Sequence, residues 1–129
     1  MYSHPRNRPR FLKLSAIHFP INALLSVGHR LSGLALVISL IGYLTLANLM
    51  LIDPSVSLIS ISDHWLLLCL HTAFWMALSF HWLTGVRHLL AEHFVTPKPY
   101  QIINSGLISI VLITVWIFIS LVITYQAWS

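Results

Sequence analysis

The chain has 129 residues, a length that predicts a single domain, and hydrophobic residues make up 57% of it. Only 8% of its residues are charged, against about 25% in a soluble domain. So short a chain cannot bury this much apolar surface in its own core, which excludes a water-soluble fold and leaves lipid or a partner to cover the surplus.

The net charge of +4 comes from cations that cluster at the start of the chain. Five of the seven Lys and Arg residues lie in the first thirty positions: Arg6, Arg8, Arg10, Lys13 and Arg30. This distribution is typical of a membrane orientation signal and argues against nucleic-acid binding. The single cysteine, Cys69, excludes an internal disulfide and any Cys-based zinc or iron–sulfur site within the chain.

The N-terminal segment, about residues 1–25, precedes the first predicted span. Its basic stretch contains Pro5 and Pro9, and no short apolar core with a small-residue cleavage site follows it. It therefore lacks the pattern of a cleavable signal peptide. The stretch Phe11–Leu25, interrupted by Pro20, is expected to form a short amphipathic segment at the membrane surface.

Three stretches are long and apolar enough for helices that cross a bilayer, whose core needs roughly 20 apolar residues. The predicted spans are about residues 26–52, 64–92 and 104–126, in one transmembrane anchor domain covering 1–129. Pro54 after Asp53 ends the first, because proline cannot continue the backbone hydrogen bonding. We expect Asp63 to cap the second helix and the prolines at 97 and 99 to break the chain before the third. The predicted fold class is all-α, an integral membrane protein with three transmembrane helices.

The positive-inside rule predicts how these spans are oriented. The first thirty residues hold five of the Lys and Arg residues and the second connection holds the other two, Arg87 and Lys98, whereas the first loop holds only Asp53 and Asp63. We therefore expect a cytoplasmic N-terminus and a periplasmic C-terminus in a bacterial inner membrane, since no presequence is recognisable. A mitochondrial membrane with a matrix-facing N-terminus is the alternative.

His81 is the first candidate functional residue, because ionisable groups inside a span are costly and usually functional. It lies six residues before Arg87, about 9 Å inside the cytoplasmic edge. A neutral imidazole there could ligate haem iron through one ring nitrogen while an acceptor holds the other. Gly85, four residues on, would let a flat macrocycle or another helix approach. The alternative is a histidine that only hydrogen-bonds a neighbouring helix.

His88 lies two helical turns after His81, on the same face, and with Arg87 it makes a cationic edge. Such an edge would suit anionic haem propionates, or it could be an interfacial cluster whose side chains reach the head groups. His71, ten residues before His81, is expected toward the far side of the membrane, where we prefer a helix-dipole contact or a hydrogen bond to a neighbouring helix.

Ser26 and Arg30 are four residues apart and share a face of the first helix. A hydroxyl and a guanidinium at the membrane edge could hold the carbonyl oxygens of a quinone head group. The charge of Arg30 would favour the anionic forms that arise as electrons arrive. The alternative makes Arg30 a topology anchor and Ser26 a helix N-cap.

A low-spin b haem generally needs two axial ligands. Only His29 and His71 could join His81, and both are expected at a different depth from it, while the third span has no histidine. If the haem is present, its second ligand is therefore expected from another subunit.

Two segments of the chain carry a family resemblance. The first is Arg8-Pro9 followed by Leu14, Ile21 and Ser26-x-x-His29-Arg30-x-Ser32-Gly33; the second is His81-x-x-x-Gly85-Val86-Arg87-His88. In that order they resemble the two signatures of the succinate dehydrogenase cytochrome b556 subunit family. Length and three spans agree, so the resemblance covers nearly the whole chain. The sequence departs from the family pattern at its edges, at Arg10, Ala91 and Glu92.

The resemblance implies roles for individual residues. The haem b ligand falls on His81, and the quinone-site serine and arginine fall on Ser26 and Arg30. His29 falls beside the haem propionates and the quinone pocket, with Arg87 and His88 bordering the same region. The second haem ligand would come from the other membrane anchor subunit.

The resemblance also implies an activity: a membrane anchor subunit of succinate:quinone oxidoreductase. Electrons from a flavoprotein subunit would pass through an iron–sulfur subunit to ubiquinone, and this chain would carry no residues for the succinate chemistry. One alternative is the anchor of another quinone-linked enzyme, such as a hydrogenase or formate dehydrogenase, which typically has more helices and haems. Another is a non-redox membrane protein, but all three acidic residues lie at span ends, where none could couple ions mid-span.

Overall fold

The computed structural model describes residues 20–62, 64–94 and 96–129. The N-terminal cations up to Lys13, the signature residues Arg8, Pro9 and Leu14, and most of the expected surface segment lie outside these residues. Three of the helices are long and apolar enough to cross a membrane, which confirms the predicted all-α fold with three transmembrane helices. In chain order the helices are α1 (Ile21–Ile52), α2 (Leu58–Ile61), α3 (Trp65–His93), α4 (Pro97–Ile103) and α5 (Gly106–Trp128).

Helix α1 begins directly after Pro20, five residues before the predicted start of the first span at Ser26. Pro20 has an extended backbone, and its carbonyl accepts hydrogen bonds from the amides of Ala23 and Leu24. Proline is tolerated at a helix start because the first amide groups have no partner within the helix. Residues 21–25 of the expected surface segment therefore belong to α1, and their location at the membrane surface stays a prediction.

The far end of α1 follows the prediction. The helix ends at Ile52, and the amide of Asp53, the C-cap, donates to the carbonyl of Leu49 before Pro54 turns the chain away. The Asp53 carboxylate accepts hydrogen bonds from the Ser55 hydroxyl at 2.6 Å and the Ser55 amide at 2.9 Å. These two bonds hold the pKa of Asp53 below its usual range, so the turn after α1 keeps a negative charge.

The other helix starts are set by side-chain caps. The N-cap of α3 is His64, whose ring accepts from the amide of Leu66, so the prediction of Asp63 in this role is wrong. Ser105 caps α5 by accepting from the amide of Ile108. The proline-rich run before α5 is not a simple break, because Pro97 occupies the first turn of the short helix α4, where its missing amide costs nothing.

Helix α3 is central and packs against both α1 and α5. The interfaces between the helices are polar and the outer surface of the bundle is apolar, as expected for helices that associate in lipid through small and hydrogen-bonding side chains. Leu25 is the one buried apolar residue among those described. The buried polar or charged residues are Ser32, Ser39, Thr84, Arg87, Ser109 and Ser120.

The two ends of the bundle differ in charge. The start of α1, the end of α3, α4 and the start of α5 form one end, which we call the basic end. It carries the described cations Arg30, Arg87 and Lys98, whereas Asp53 lies at the opposite end. Helix α1 is about 48 Å long at 1.5 Å per residue, which exceeds a bilayer core of about 30 Å. Which end faces the cytoplasm stays a prediction.

Candidate functional site

His29 of α1 and His81 of α3 lie face to face between the two helices. Their ring centroids are 4.0 Å apart and their planes differ by 12°. The expectation that His29 lies at a different depth from His81 is wrong. Since α1 begins at Ile21, His29 is already two helical turns inside the helix. The family resemblance implied that His29 lies beside a haem held by His81, and the structure brings the two rings into direct contact.

Two glycines allow this close contact. A Cβ atom added at Gly33 would lie 3.2 Å from Cε1 of His81, and one added at Gly85 would lie 3.2 Å from Cε1 of His29. Each imidazole therefore lies over a glycine of the opposite helix. Gly85 was expected to admit a macrocycle or another helix, and in this structure it admits the His29 ring.

The hydrogen bonds of His81 define its tautomer. Its Nδ1 lies 3.1 Å from the carbonyl oxygen of His29 and 3.2 Å from the hydroxyl oxygen of Ser32. A carbonyl can only accept, and the Ser32 hydroxyl donates its own proton to the same carbonyl at 2.8 Å. His81 Nδ1 must therefore be the donor. In the neutral ring Nε2 then keeps its lone pair, and no other described residue hydrogen-bonds to it.

His29 is fixed in the same way from the other side. Its Nδ1 lies 2.9 Å from Oγ1 of Thr84, a residue that is 1% exposed. The Thr84 hydroxyl donates to the carbonyl of Phe80 at 2.7 Å, so its oxygen accepts from His29. The two imidazoles are thus held reciprocally, each by a hydrogen bond to the helix that carries the other.

The chemistry of this donor set fits a haem. A ligating histidine usually donates one ring N–H to a carbonyl or carboxylate, which fixes the tautomer and makes the other nitrogen more basic. His81 has this arrangement. His29 cannot be the opposite ligand of the same iron, because rings stacked at 4.0 Å leave no space for a macrocycle between them. Stacking rather than depth therefore excludes His29 as a second haem ligand beside His81.

His88 and His71 lie in different parts of α3. The His88 ring meets the His29 ring edge-on, with centroids 5.3 Å apart, so His29, His81 and His88 form one cluster. His71 lies apart from it and uses both nitrogens, with Nδ1 2.9 Å from the Tyr43 hydroxyl and Nε2 accepting from Trp75 at 3.1 Å. The preferred interpretation of His71 as a residue that hydrogen-bonds a neighbouring helix is confirmed.

Ser26 and Arg30 lie on α1 beside His29, at the basic end. Ser26 is inside the helix, so its interpretation as an N-cap is wrong. Arg30 is exposed and Ser26 half-buried, and neither side chain makes a hydrogen bond to another described residue. A hydroxyl that bonds nothing within its own helix thus lies next to a guanidinium that pairs with no described residue, and both polar groups are available to bind a further molecule.

Arg87 lies in a different group of residues from the histidines. It is 4% exposed, and its Nε and Nη2 donate to the carbonyl of Ile103 and to the side chains of Asn22 and Asn104. The sequence placed Arg87 with His88 on one cationic edge. The structure brings His88 to His29 but directs Arg87 toward α4 and the first turn of α1. Asn22 and Asn104 were not singled out from the sequence, although amides at span ends are a recognisable signal.

Comparison with known proteins gives one match of wide coverage. The family model described as the succinate dehydrogenase/fumarate reductase transmembrane subunit matches residues 4–124. The matched range includes the histidine cluster, Ser26, Arg30, all of α1 and α3, and α5 as far as residue 124. No curated protein matches the chain.

Proposed function

Since the chain belongs to the succinate dehydrogenase/fumarate reductase transmembrane subunit family, we propose that it is the cytochrome b556-type anchor of a succinate:quinone oxidoreductase. In this proposal it shares a haem b with a second anchor subunit and contributes residues to a ubiquinone site. The family membership gives no support to the alternatives drawn from the sequence, a hydrogenase or formate dehydrogenase anchor and a non-redox membrane protein.

The single observation that carries the haem proposal is the fixed tautomer of His81. Its Nδ1–H is held by the His29 carbonyl and by Ser32, which leaves Nε2 as the nitrogen that would hold the iron. When bound, a haem b would supply a one-electron carrier next to the quinone site. The second axial ligand would come from the second anchor subunit, since stacking removes His29 and His71 has both nitrogens engaged.

His29 and His88 would line the edge of the haem pocket. His88 lies nearer the basic end than His81 does, and His29 lies level with His81. The rings of His88 and His29 are in contact. The His88 ring would donate an N–H to an anionic propionate, whereas the Nδ1–H of His29 is already donated to Thr84. Arg87, which the sequence placed at the same edge, directs its guanidinium to Ile103 and Asn22 instead.

Ser26 and Arg30 would hold the quinone head group. Both side chains lack a partner among the described residues, and they lie one helical turn apart on α1. The hydroxyl and the guanidinium would donate hydrogen bonds to the ring oxygens, and the guanidinium charge would favour the quinone as it gains electrons. The chain's apolar exterior would leave the isoprenoid tail in lipid.

The positive-inside rule supports a cytoplasmic location for the basic end of the bundle. The iron–sulfur subunit would dock there and the flavoprotein subunit would bind on top of it, where succinate is oxidised. The membrane would be a bacterial inner membrane, with the C-terminus in the periplasm. The chain itself would anchor the complex and contribute to electron delivery.

Purification through a tag on this chain tests the proposal. We expect a flavin-containing subunit and an iron–sulfur subunit to co-purify, and the complex to reduce a short-chain ubiquinone with succinate. Activity with fumarate and a low-potential quinol, but none with succinate and ubiquinone, would instead indicate the fumarate reductase branch of the family. A chain that purifies from intact membranes without any flavin-containing partner would contradict the proposal.

A further inference from the structure

The guanidinium of Arg87 is buried without a counter-ion among the described residues. Arg87 is 4% exposed, and Nε donates to the Ile103 carbonyl at 3.1 Å while Nη2 donates to Asn22 Oδ1 at 2.7 Å and to Asn104 Oδ1 at 3.1 Å. All three acceptors are neutral, and no carboxylate of a described residue bonds to it. A buried charge is costly unless hydrogen bonds satisfy it, so this arginine depends on every one of these acceptors.

The hydrogen bonds continue beyond Arg87 and connect three helices. Asn22 Nδ2 donates to the backbone carbonyl of Asn104 at 2.6 Å, and the Ser109 hydroxyl donates to Asn22 Oδ1 at 2.7 Å. Ser109 is 0% exposed. These four side chains come from α1 (Asn22), α3 (Arg87), the α4–α5 turn (Asn104) and α5 (Ser109). We call them the basic-end clamp.

The geometry of the clamp fixes α3 relative to α1. A guanidinium is a rigid planar fork, so its donors meet acceptors in only one orientation. A slip of α3 by one residue would rotate Arg87 by about 100° and shift it by about 1.5 Å, which would break all three of its bonds. A lysine ammonium at this position would keep the charge but lose the planar arrangement of hydrogen-bond donors.

The basic-end clamp and the stacked rings of His29 and His81 (the His29–His81 stack) join the same two helices, α1 and α3. Asn22 lies seven residues before His29, two turns along the same face of α1 and about 10 Å away along the axis. On α3, Arg87 lies three residues after Thr84, which binds His29. The stack tolerates little displacement, because each ring already lies close to a glycine of the opposite helix.

We propose that Arg87 is a positioning residue, which acts through Asn22 and Asn104 to set the register of α3 against α1 and thereby the orientation of the His29–His81 stack. Its charge is not used on an external anion. The consequence for the haem rests on the proposed function; the coupling between Arg87 and Asn22 does not.

Three variants of the purified complex separate positioning from charge. Arg87→Lys keeps the charge, Asn22→Ala keeps Arg87 but removes an acceptor, and Lys98→Gln removes an exposed cation of α4 as a control. The readout is the low-field line of the ferric low-spin haem in electron paramagnetic resonance, which depends on ligand-ring orientation rather than on yield. We expect Arg87→Lys and Asn22→Ala to shift it in the same way and Lys98→Gln to leave it unchanged. If either of the first two variants showed the low-field line at its wild-type position, the proposal would be overturned.

A thermal double-mutant cycle provides a readout that needs no haem. Arg87→Lys and Asn22→Ala should each lower the melting temperature of the complex, and the double variant should melt no lower than the worse single variant. The pair Arg87→Lys and Lys98→Gln should be additive. Additive effects of Arg87→Lys and Asn22→Ala would contradict the clamp. If the wild-type complex contained no haem, the haem assignment would be overturned. The thermal cycle would still show whether Arg87 and Asn22 are coupled.

Discussion

His29 and His81 constrain each other through both their rings and their hydrogen bonds. The rings are stacked at 4.0 Å, and the carbonyl of His29 accepts from Nδ1 of His81 at 3.1 Å. The backbone of the first residue thus sets the tautomer of the second. A change at either helix should therefore alter the position of the nitrogen that we propose as the iron ligand.

Gly33→Ala should disturb the haem environment. The added Cβ would lie 3.2 Å from Cε1 of His81, and the ring cannot move away freely without weakening its bonds to the His29 carbonyl and to Ser32. We expect a shifted or weakened b-type absorption in the purified complex. The matched control is Gly106→Ala, whose Cβ would meet nothing within 4 Å. Equal spectra for the two variants would contradict the proposed contact.

Thr84→Val should destabilise the complex more than Thr84→Ser does. Valine has nearly the shape of threonine but cannot accept from His29 Nδ1, which would leave a donor unpaired between α1 and α3. An interhelical hydrogen bond in a membrane bundle contributes about 1 kcal/mol. Thermal unfolding of the detergent-solubilised complex measures the difference. If the serine and valine variants unfold alike, the hydrogen bond contributes nothing to stability.

Ser26→Ala should weaken quinone reduction without lowering stability. The Ser26 hydroxyl bonds no other described residue, so its loss leaves no partner unpaired among those residues. Loss of a hydrogen bond to the quinone should raise the KM for a ubiquinone analogue by about 10-fold. Succinate oxidation with a soluble dye should be unaffected. Thr45→Ala removes another hydroxyl of α1, one that bonds the carbonyl of Ile41, and should leave the KM unchanged.

Arg30→Gln should affect the same KM more strongly than Ser26→Ala. Arg30 is exposed, has no described partner, and would give the quinone site both a hydrogen bond and a charge. The effect of the charge should weaken as ionic strength rises. Steady-state kinetics at two salt concentrations check this. A KM like that of the wild type would leave Arg30 as an orientation anchor only.

The basic end of the bundle should lie in the cytoplasm. Arg30, Arg87 and Lys98 all belong to this end, and Asp53 belongs to the other. An alkaline phosphatase domain fused after Trp128 should be active in the periplasm of a bacterial host, and one fused after His93 should be inactive. The reverse pattern of activities would contradict the predicted topology.

The sequence predicts much of the fold because each helix boundary has a local cause. The uncharged stretches predict three spans, and Asp53 with Pro54 marks the end of α1. The predicted depth of His29 was wrong because the prediction began the first helix at Ser26. Proline is common at helix starts, so Pro20 was a signal for the earlier start. The cap of α3 was predicted one residue too early, because the ring of His64, which follows Asp63, can also accept from a free amide.

The site is less predictable, because it depends on contacts between residues far apart in the chain. Arg87 and His88 are adjacent in sequence, but about 100° separates them around the helix axis. One therefore faces Asn22 and Asn104 while the other faces His29. The bond from Asn22 to Asn104 spans 82 residues, and no periodicity in a single sequence indicates such a pair.

The most direct test of the central claim is the reduced-minus-oxidised absorption spectrum of the complex purified through this chain, with succinate as the reductant. We predict a b-type signal in the wild type and in His71→Ala, and a weakened or shifted signal in His81→Ala, in preparations that retain the flavoprotein and iron–sulfur subunits. No b-type signal in an intact wild-type complex, or a normal one in His81→Ala, would contradict the assignment of His81 as the haem ligand.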